Sequence, residues 1–115
     1  MIHHVALEVS RDAVEADARF WELLGFARVE PPSGLRDRAA WLEAEGQQVH
    51  LLFSEAPVAP PSGHVALHVE DFAGACARLA DAGFEVEPRR RHWGAERASV
   101  RSPAGHLVEL MAAPP

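Results

Sequence analysis

A chain of 115 residues, 48% hydrophobic and 24% charged, has the composition of an ordinary soluble globular protein. That length suits one compact domain or two half-domains sharing a core. The formal net charge of -6 argues against general affinity for nucleic acid or acidic membranes. No apolar run nears the roughly 20 residues of a membrane span, and the N-terminus has no signal-peptide pattern, so a cytoplasmic protein without membrane partners is expected. The single cysteine, Cys76, fits a reducing compartment and reads as a core filler. All eleven basic residues are Arg, so no Schiff-base lysine is available.

The first element is a strand, His4-Val5-Ala6-Leu7-Glu8-Val9, whose alternation puts Val5, Leu7 and Val9 on one face and His4, Ala6 and Glu8 on the other. Asp12 then caps a predicted helix, with Glu15 reaching back from three residues on. Val14, Ala18, Trp21 and Leu24, widened by Phe20, form its apolar stripe, and Gly25 ends it. A short strand follows over Phe26–Glu30. Pro31–Arg38 is a loop, and a hairpin then pairs Ala40–Glu43 with Gln47–Phe53 across Glu45-Gly46. Ala56-Pro57-Val58-Ala59-Pro60-Pro61-Ser62-Gly63 reads as a linker.

Beyond the linker the pattern repeats. His64-Val65-Ala66-Leu67-His68-Val69 matches the opening strand at five of six positions, at an offset of 60. Asp71 is the cap of the second helix, Phe72, Cys76, Leu79 and Ala82 its stripe, and Gly83 its stop. A strand over Phe84–Glu87 and a connection, Arg89-Arg90-Arg91-His92-Trp93-Gly94, come next. A hairpin, Ala98–Arg101 with His106–Met111 across Ser102-Pro103-Ala104-Gly105, closes the chain. The expected fold class is α+β, with two βαβββ modules: residues 1–55, a linker over 56–63, and residues 64–115, together one domain. Neither module can bury both faces of a four-stranded sheet alone, so two modules should pair, within one chain or between two.

Alternation converts the repeat into chemistry. The Val-Leu-Val faces must pack on the helices, which turns His4 and His64 to the other, concave side. Aligning the turn glycines Gly46 and Gly105 sets Val49-His50-Leu51 over Val108-Glu109-Leu110, so His50 and Glu109 share that side. Three imidazoles and a carboxylate suit one divalent ion of borderline character, Zn, Ni, Co, Mn or Fe. His4, His50, His64 and Glu109 are therefore the candidate ligands, with His50 alternatively a pocket acid or base. Glu8 and His68 share the concave face as candidate substrate contacts. Arg91 and Trp93, on the basic connection, are candidates to pair with an anionic substrate group. His3, facing the core side, and His106 are expected to be structural.

These residues resemble a family. His4–Val9, the helix end Phe20-Trp21-Glu22-Leu23-Leu24-Gly25-Phe26 and the closing Ser102-Pro103-Ala104-Gly105-His106-Leu107-Val108-Glu109-Leu110 are similar to motifs of the vicinal oxygen chelate superfamily. That superfamily includes glyoxalase I, fosfomycin-resistance transferases, methylmalonyl-CoA epimerase, bleomycin-binding proteins and extradiol dioxygenases. The resemblance covers nearly the whole chain and implies a curved, cleft-forming mixed sheet, a homodimer, and metal ligands on the first and last strands of each module. His4, His64 and Glu109 match the usual residue types. His50 stands where glyoxalase I and the epimerase carry Glu or Gln, and Ala6 where the fosfomycin transferases carry Thr. The resemblance implies a metal-dependent isomerase or lyase of glyoxalase type, acting on a small-molecule substrate that chelates the ion through adjacent oxygens. The ion would stabilise an enediolate, with Glu109 as ligand and base. The alternatives are a small-molecule binding or sequestering protein without turnover, and a metal-dependent thiol transferase.

Overall fold

The computed structural model describes residues Met1–Pro115, which divide into two compact units, Met1–Ala59 and Pro60–Pro115. In the first, strand β1 (His4–Val9) is followed by helix α1 (Val14–Leu23), β2 (Ala27–Val29), a single 3₁₀ turn at Ser33–Leu35, β3 (Ala39–Ala44) and β4 (Gln47–Phe53). The second runs β5 (His64–His68), α2 (Phe72–Asp81), β6 (Glu87–Arg89), β7 (Arg97–Arg101) and β8 (Leu107–Met111). Each unit has its own four-stranded mixed sheet, in the order β1-β4-β3-β2 and β5-β8-β7-β6. In both, the first strand lies at one edge and pairs in parallel with the last strand, and the two hairpin strands pair antiparallel. No helix is long and apolar enough to cross a membrane.

The repeat extends to register. Ala6 lies opposite His50 in the first sheet and Ala66 opposite Glu109 in the second, so His50 and Glu109 hold equivalent positions. The apolar faces are buried as alternation requires: Val49, Leu51 and Leu42 in one unit, Val108, Leu110 and Val100 in the other. Trp21 and Phe20 of α1, with ring planes at 85°, are fully buried. Asp17, one turn before Trp21, is also buried and accepts a hydrogen bond from its Nε1 at 3.3 Å. Glu45 and Gly46 both take positive φ, 50° and 78°, which closes the β3–β4 hairpin in the turn whose twist suits flanking strands.

Four local expectations are corrected. Asp12 does not cap α1: the N-cap is Ala13, no side chain caps the helix, and Ser10 instead accepts the Ala13 N–H through its hydroxyl at 3.2 Å. Asp71 does cap α2, accepting from Gly74 N at 3.1 Å. On α2 the buried positions are Ala75 and Leu79, while Cys76 is half-buried. β6 begins at Glu87 rather than Phe84 and carries Pro88, tolerated because β6 is an edge strand. His3 is exposed rather than turned to the core.

Candidate functional site

In the first unit, register places Trp41 of β3 directly opposite His50 of β4, and the two rings stack with centroids 3.9 Å apart and planes at 1°. His4 of β1 lies on the other face of His50, 4.0 Å away at 16°. His50 is therefore an imidazole sandwiched between two rings, 5% exposed. Burial foremost, and then the neighbouring His4 and His3, push its pKa down to about 4, so it is neutral near pH 7. Its Nε2 lies 2.8 Å from Gln48 Oε1, and the Gln48 amide nitrogen donates to Glu43 Oε2 at 2.7 Å. With the Gln48 oxygen thus an acceptor, His50 Nε2 carries the proton and Nδ1 keeps the lone pair. His4 is exposed, and its Nδ1 meets His3 Nδ1 at 3.0 Å.

The second unit is built on charge. His64 Nδ1 lies 2.8 Å from the Ser62 carbonyl oxygen, which fixes the proton on Nδ1 and leaves a lone pair on Nε2. That Nε2 is 3.8 Å from Glu109 Oε1. The same oxygen accepts from Arg97 at 2.6 Å, a charge-assisted contact between side chains only 14% and 12% exposed. Arg97 also donates to the Arg90 carbonyl at 2.7 Å and lies over the Trp93 ring, whose Nε1 donates to Ala113 O at 2.8 Å. Its Nε is buried without a hydrogen-bond partner. An open cavity of about 670 Å³ is lined by His64, Glu109, Arg97, Ser99 and the β6 residues Glu87 and Arg89.

Two pairs thus form, His4 with His50 and His64 with Glu109, each inside one unit. Within neither unit do three His, Cys, Asp or Glu side chains group closely enough to hold a metal ion. The donors nonetheless have the right chemistry: His50 is held neutral, and His64 presents an oriented lone pair beside a carboxylate. The nearly parallel planes of His4 and His50 do not meet at bonding distance, so one ring must turn before both can bind a common ion. Gln48 and Trp41 hold His50, which leaves exposed His4 as the ring that turns. Glu8 is half-buried opposite Leu52, and His68 is exposed at the end of β5 opposite Met111. Arg91 is paired with Glu96 at 3.0 Å, and Trp93 is the platform under Arg97. Cys76 has its thiol pKa raised by burial and by Glu96, which suits a filler rather than a nucleophile.

The sequence pattern alone left out Arg97, Gln48 and Trp41. Extending the alternation two residues back from Ser99, which faces Glu109 across the hairpin, marks Arg97 as sharing that face.

The strand–helix–strand–strand–strand unit used twice, with donors on its first and last strands, belongs to a defined class. The chain is a member of the Glyoxalase/Bleomycin resistance protein/Dioxygenase superfamily, whose family model matches residues 1–110. Among solved structures it is similar to a glyoxalase family protein from Bacillus anthracis, at 24% identity and a TM-score of 0.86 over 96% of this chain and 93% of that one. It is also similar to a lactoylglutathione lyase from Agrobacterium tumefaciens, at 23% identity and a TM-score of 0.71 over 96% of this chain and 92% of that one. TnmS3, an antibiotic binding protein from Streptomyces sp. CB03234, shares the fold at 22% identity and a TM-score of 0.74, over 96% and 93%. No curated protein matches the sequence.

Proposed function

We propose that this chain is a metal-dependent lyase or isomerase of glyoxalase type, with His4, His50, His64 and Glu109 as ligands of one divalent ion, Zn, Ni, Co, Mn or Fe. The observation that carries the proposal is the His64–Glu109 pair, in which an oriented imidazole nitrogen lies 3.8 Å from a carboxylate oxygen and both residues line an open cavity. An ion bound there would take adjacent substrate oxygens as ligands and stabilise negative charge developing on them.

The residues of the chain supply the rest. Arg97 holds Glu109 through Oε1, which leaves Oε2 outside that ion pair as the oxygen that would remove a proton next to a carbonyl. Arg97 also limits how far Glu109 swings. The Glu43–Gln48–His50 chain keeps His50 Nδ1 unprotonated and oriented.

Metal analysis of the purified protein, then assay against a panel of α-ketoaldehyde–thiol adducts, tests the proposal. A bound or reconstituted transition metal, lost in His64→Ala, is the expected outcome. Protein that takes up no such ion in any assembly overturns it. Full turnover by Glu109→Gln overturns the base role alone.

A second reading is favoured by the Trp41–His50–His4 stack, which is a ready aromatic surface before any ion binds. It is a binding protein without turnover for a flat small molecule. Such a protein would bind its ligand equally well after chelator treatment, which the lyase reading forbids. Assembly as a homodimer and a cytoplasmic setting accompany either reading.

A further inference from the structure

The cavity of the second unit has an uneven charge distribution. Arg89 of β6 and Arg97 of β7 are directly opposite one another in the antiparallel ladder and both line the cavity. Like charges at facing positions are destabilising unless something between them offsets the repulsion. Arg97 has its offset in Glu109 at 2.6 Å. The third cavity arginine, Arg101, spends its donors on the backbone carbonyls of Gly105 and Pro61 at 2.9 and 3.2 Å. The acidic residues Glu85 and Glu87 precede Arg89 along the edge, and Glu87 faces Ser99 rather than an arginine. Arg91, the neighbouring cation, is neutralised by Glu96. Arg89 therefore faces the cavity as an exposed guanidinium with no counter-ion, across from a second guanidinium, on the same sheet face as Glu109.

We propose that this cavity takes a small organic carboxylate, whose negative group docks on Arg89 opposite Arg97. A planar guanidinium matches a carboxylate through two parallel N–H···O bonds, and a negative group there supplies the partner that Arg89 lacks. The rest of the molecule then extends along the sheet towards Glu109 and His64. The substrate class that fits is an acid with a carbonyl or hydroxyl oxygen near its carboxylate. This extends the lyase reading by naming a substrate class, and rests on it only in taking the cavity as the substrate site.

The test uses metal-free protein, dialysed against a chelator, titrated by NMR with pyruvate and with its uncharged analogue pyruvamide. Pyruvate should bind about tenfold or more tightly than pyruvamide, as a charge-assisted pair requires. Arg89→Gln should abolish that preference, whereas Arg78→Gln, on α2, should leave it intact. Equal affinity for the two probes, no binding of either, or a preference that survives Arg89→Gln would overturn the proposal. Metal uptake is measured on the same preparation. Uptake without the anion preference sinks the carboxylate site alone, and the preference without uptake sinks the metal reading alone.

Discussion

The two units share topology and register, yet their equivalent positions carry opposite chemistry. Where the first sheet has His50, the second has Glu109; opposite them stand Trp41 and Ser99. Where the second has Arg97, the equivalent ladder position in the first is Ala39. A carboxylate therefore comes with a cation and a small neighbour, and an imidazole with a flat ring and no cation. Each substitution makes sense only with its partner: Arg97 beside His50 would have nothing to bond, and Trp41 opposite Glu109 would cover the carboxylate that Ser99 leaves open. The two units share their backbone pairing and differ by coupled side-chain pairs rather than by single residues.

The sharpest way to break this comparison is to remove one member of the charged pair. Arg97→Met leaves the Glu109 carboxylate, 12% exposed, with no cation, and should cost about 3 kcal/mol of stability. Arg97→Met combined with Glu109→Leu should recover most of that loss, because no lone charge is left. Urea midpoints of the single and double variants measure both effects. If the single variant is as stable as the parent, the second unit does not depend on its charged pair.

The first unit should respond to acid instead. An unfolded chain protonates His50 near the ordinary 6.5, whereas the folded ring resists until about 4. Between those values the unfolded state binds more protons, so stability falls as pH drops from 6.5 towards 4 and is unaffected by this group above 6.5. The full effect is of order 3 kcal/mol. His50→Gln, compared with the parent at pH 7 and pH 4.5, should lose this part of the acid sensitivity. An unchanged difference between the two pH values would mean that the stacked ring does not control it.

On the proposed function, the comparison sharpens at Gln48, whose ladder equivalent in the second unit is apolar Leu107. Gln48→Leu removes the acceptor that orients His50 and should weaken metal binding by about tenfold or more. Leu107→Gln should change it little. Competition against a chromogenic chelator reads both affinities.

How far the sequence revealed this molecule follows the same division between local and cross-strand information. Alternation and the glycine stops are local: Gly25 and Gly83 take φ of 95° and 93°, and β4 spans Gln47–Phe53 as the pattern predicts. Position equivalence of His50 and Glu109 was legible because each is fixed by a turn glycine a few residues away. The partners of those groups were not: Trp41 and Arg97 reach them only through cross-strand register, and Gln48, although two residues from His50, is oriented by Glu43 on the next strand. β6 was misplaced for a related reason: its limits are set by pairing with Arg97–Ser99 and not by its own apolar pattern.

The smallest expected effect contrasts the two helix starts, where an Asp at the same place in each motif behaves differently. Asp71 accepts the Gly74 N–H, and a side chain added at Gly74 would run into the Asp71 carboxylate, so the glycine is part of the cap. Asp71→Ala should therefore cost about 1 kcal/mol, and Gly74→Ala should not bring the gain that glycine-to-alanine changes give elsewhere in helices. In the first unit the chain enters α1 through a turn closed by Ser10, whose carbonyl and hydroxyl oxygens accept from the Ala13 N–H at 3.1 and 3.2 Å. Asp12→Ala should then stay within about 0.5 kcal/mol of the parent, while Ser10→Ala should cost more. Thermal midpoints of the four alanine variants rank the effects. A large loss from Asp12→Ala would mean that the helix is capped in solution as its sequence suggests and that the Ser10 turn is not what starts it.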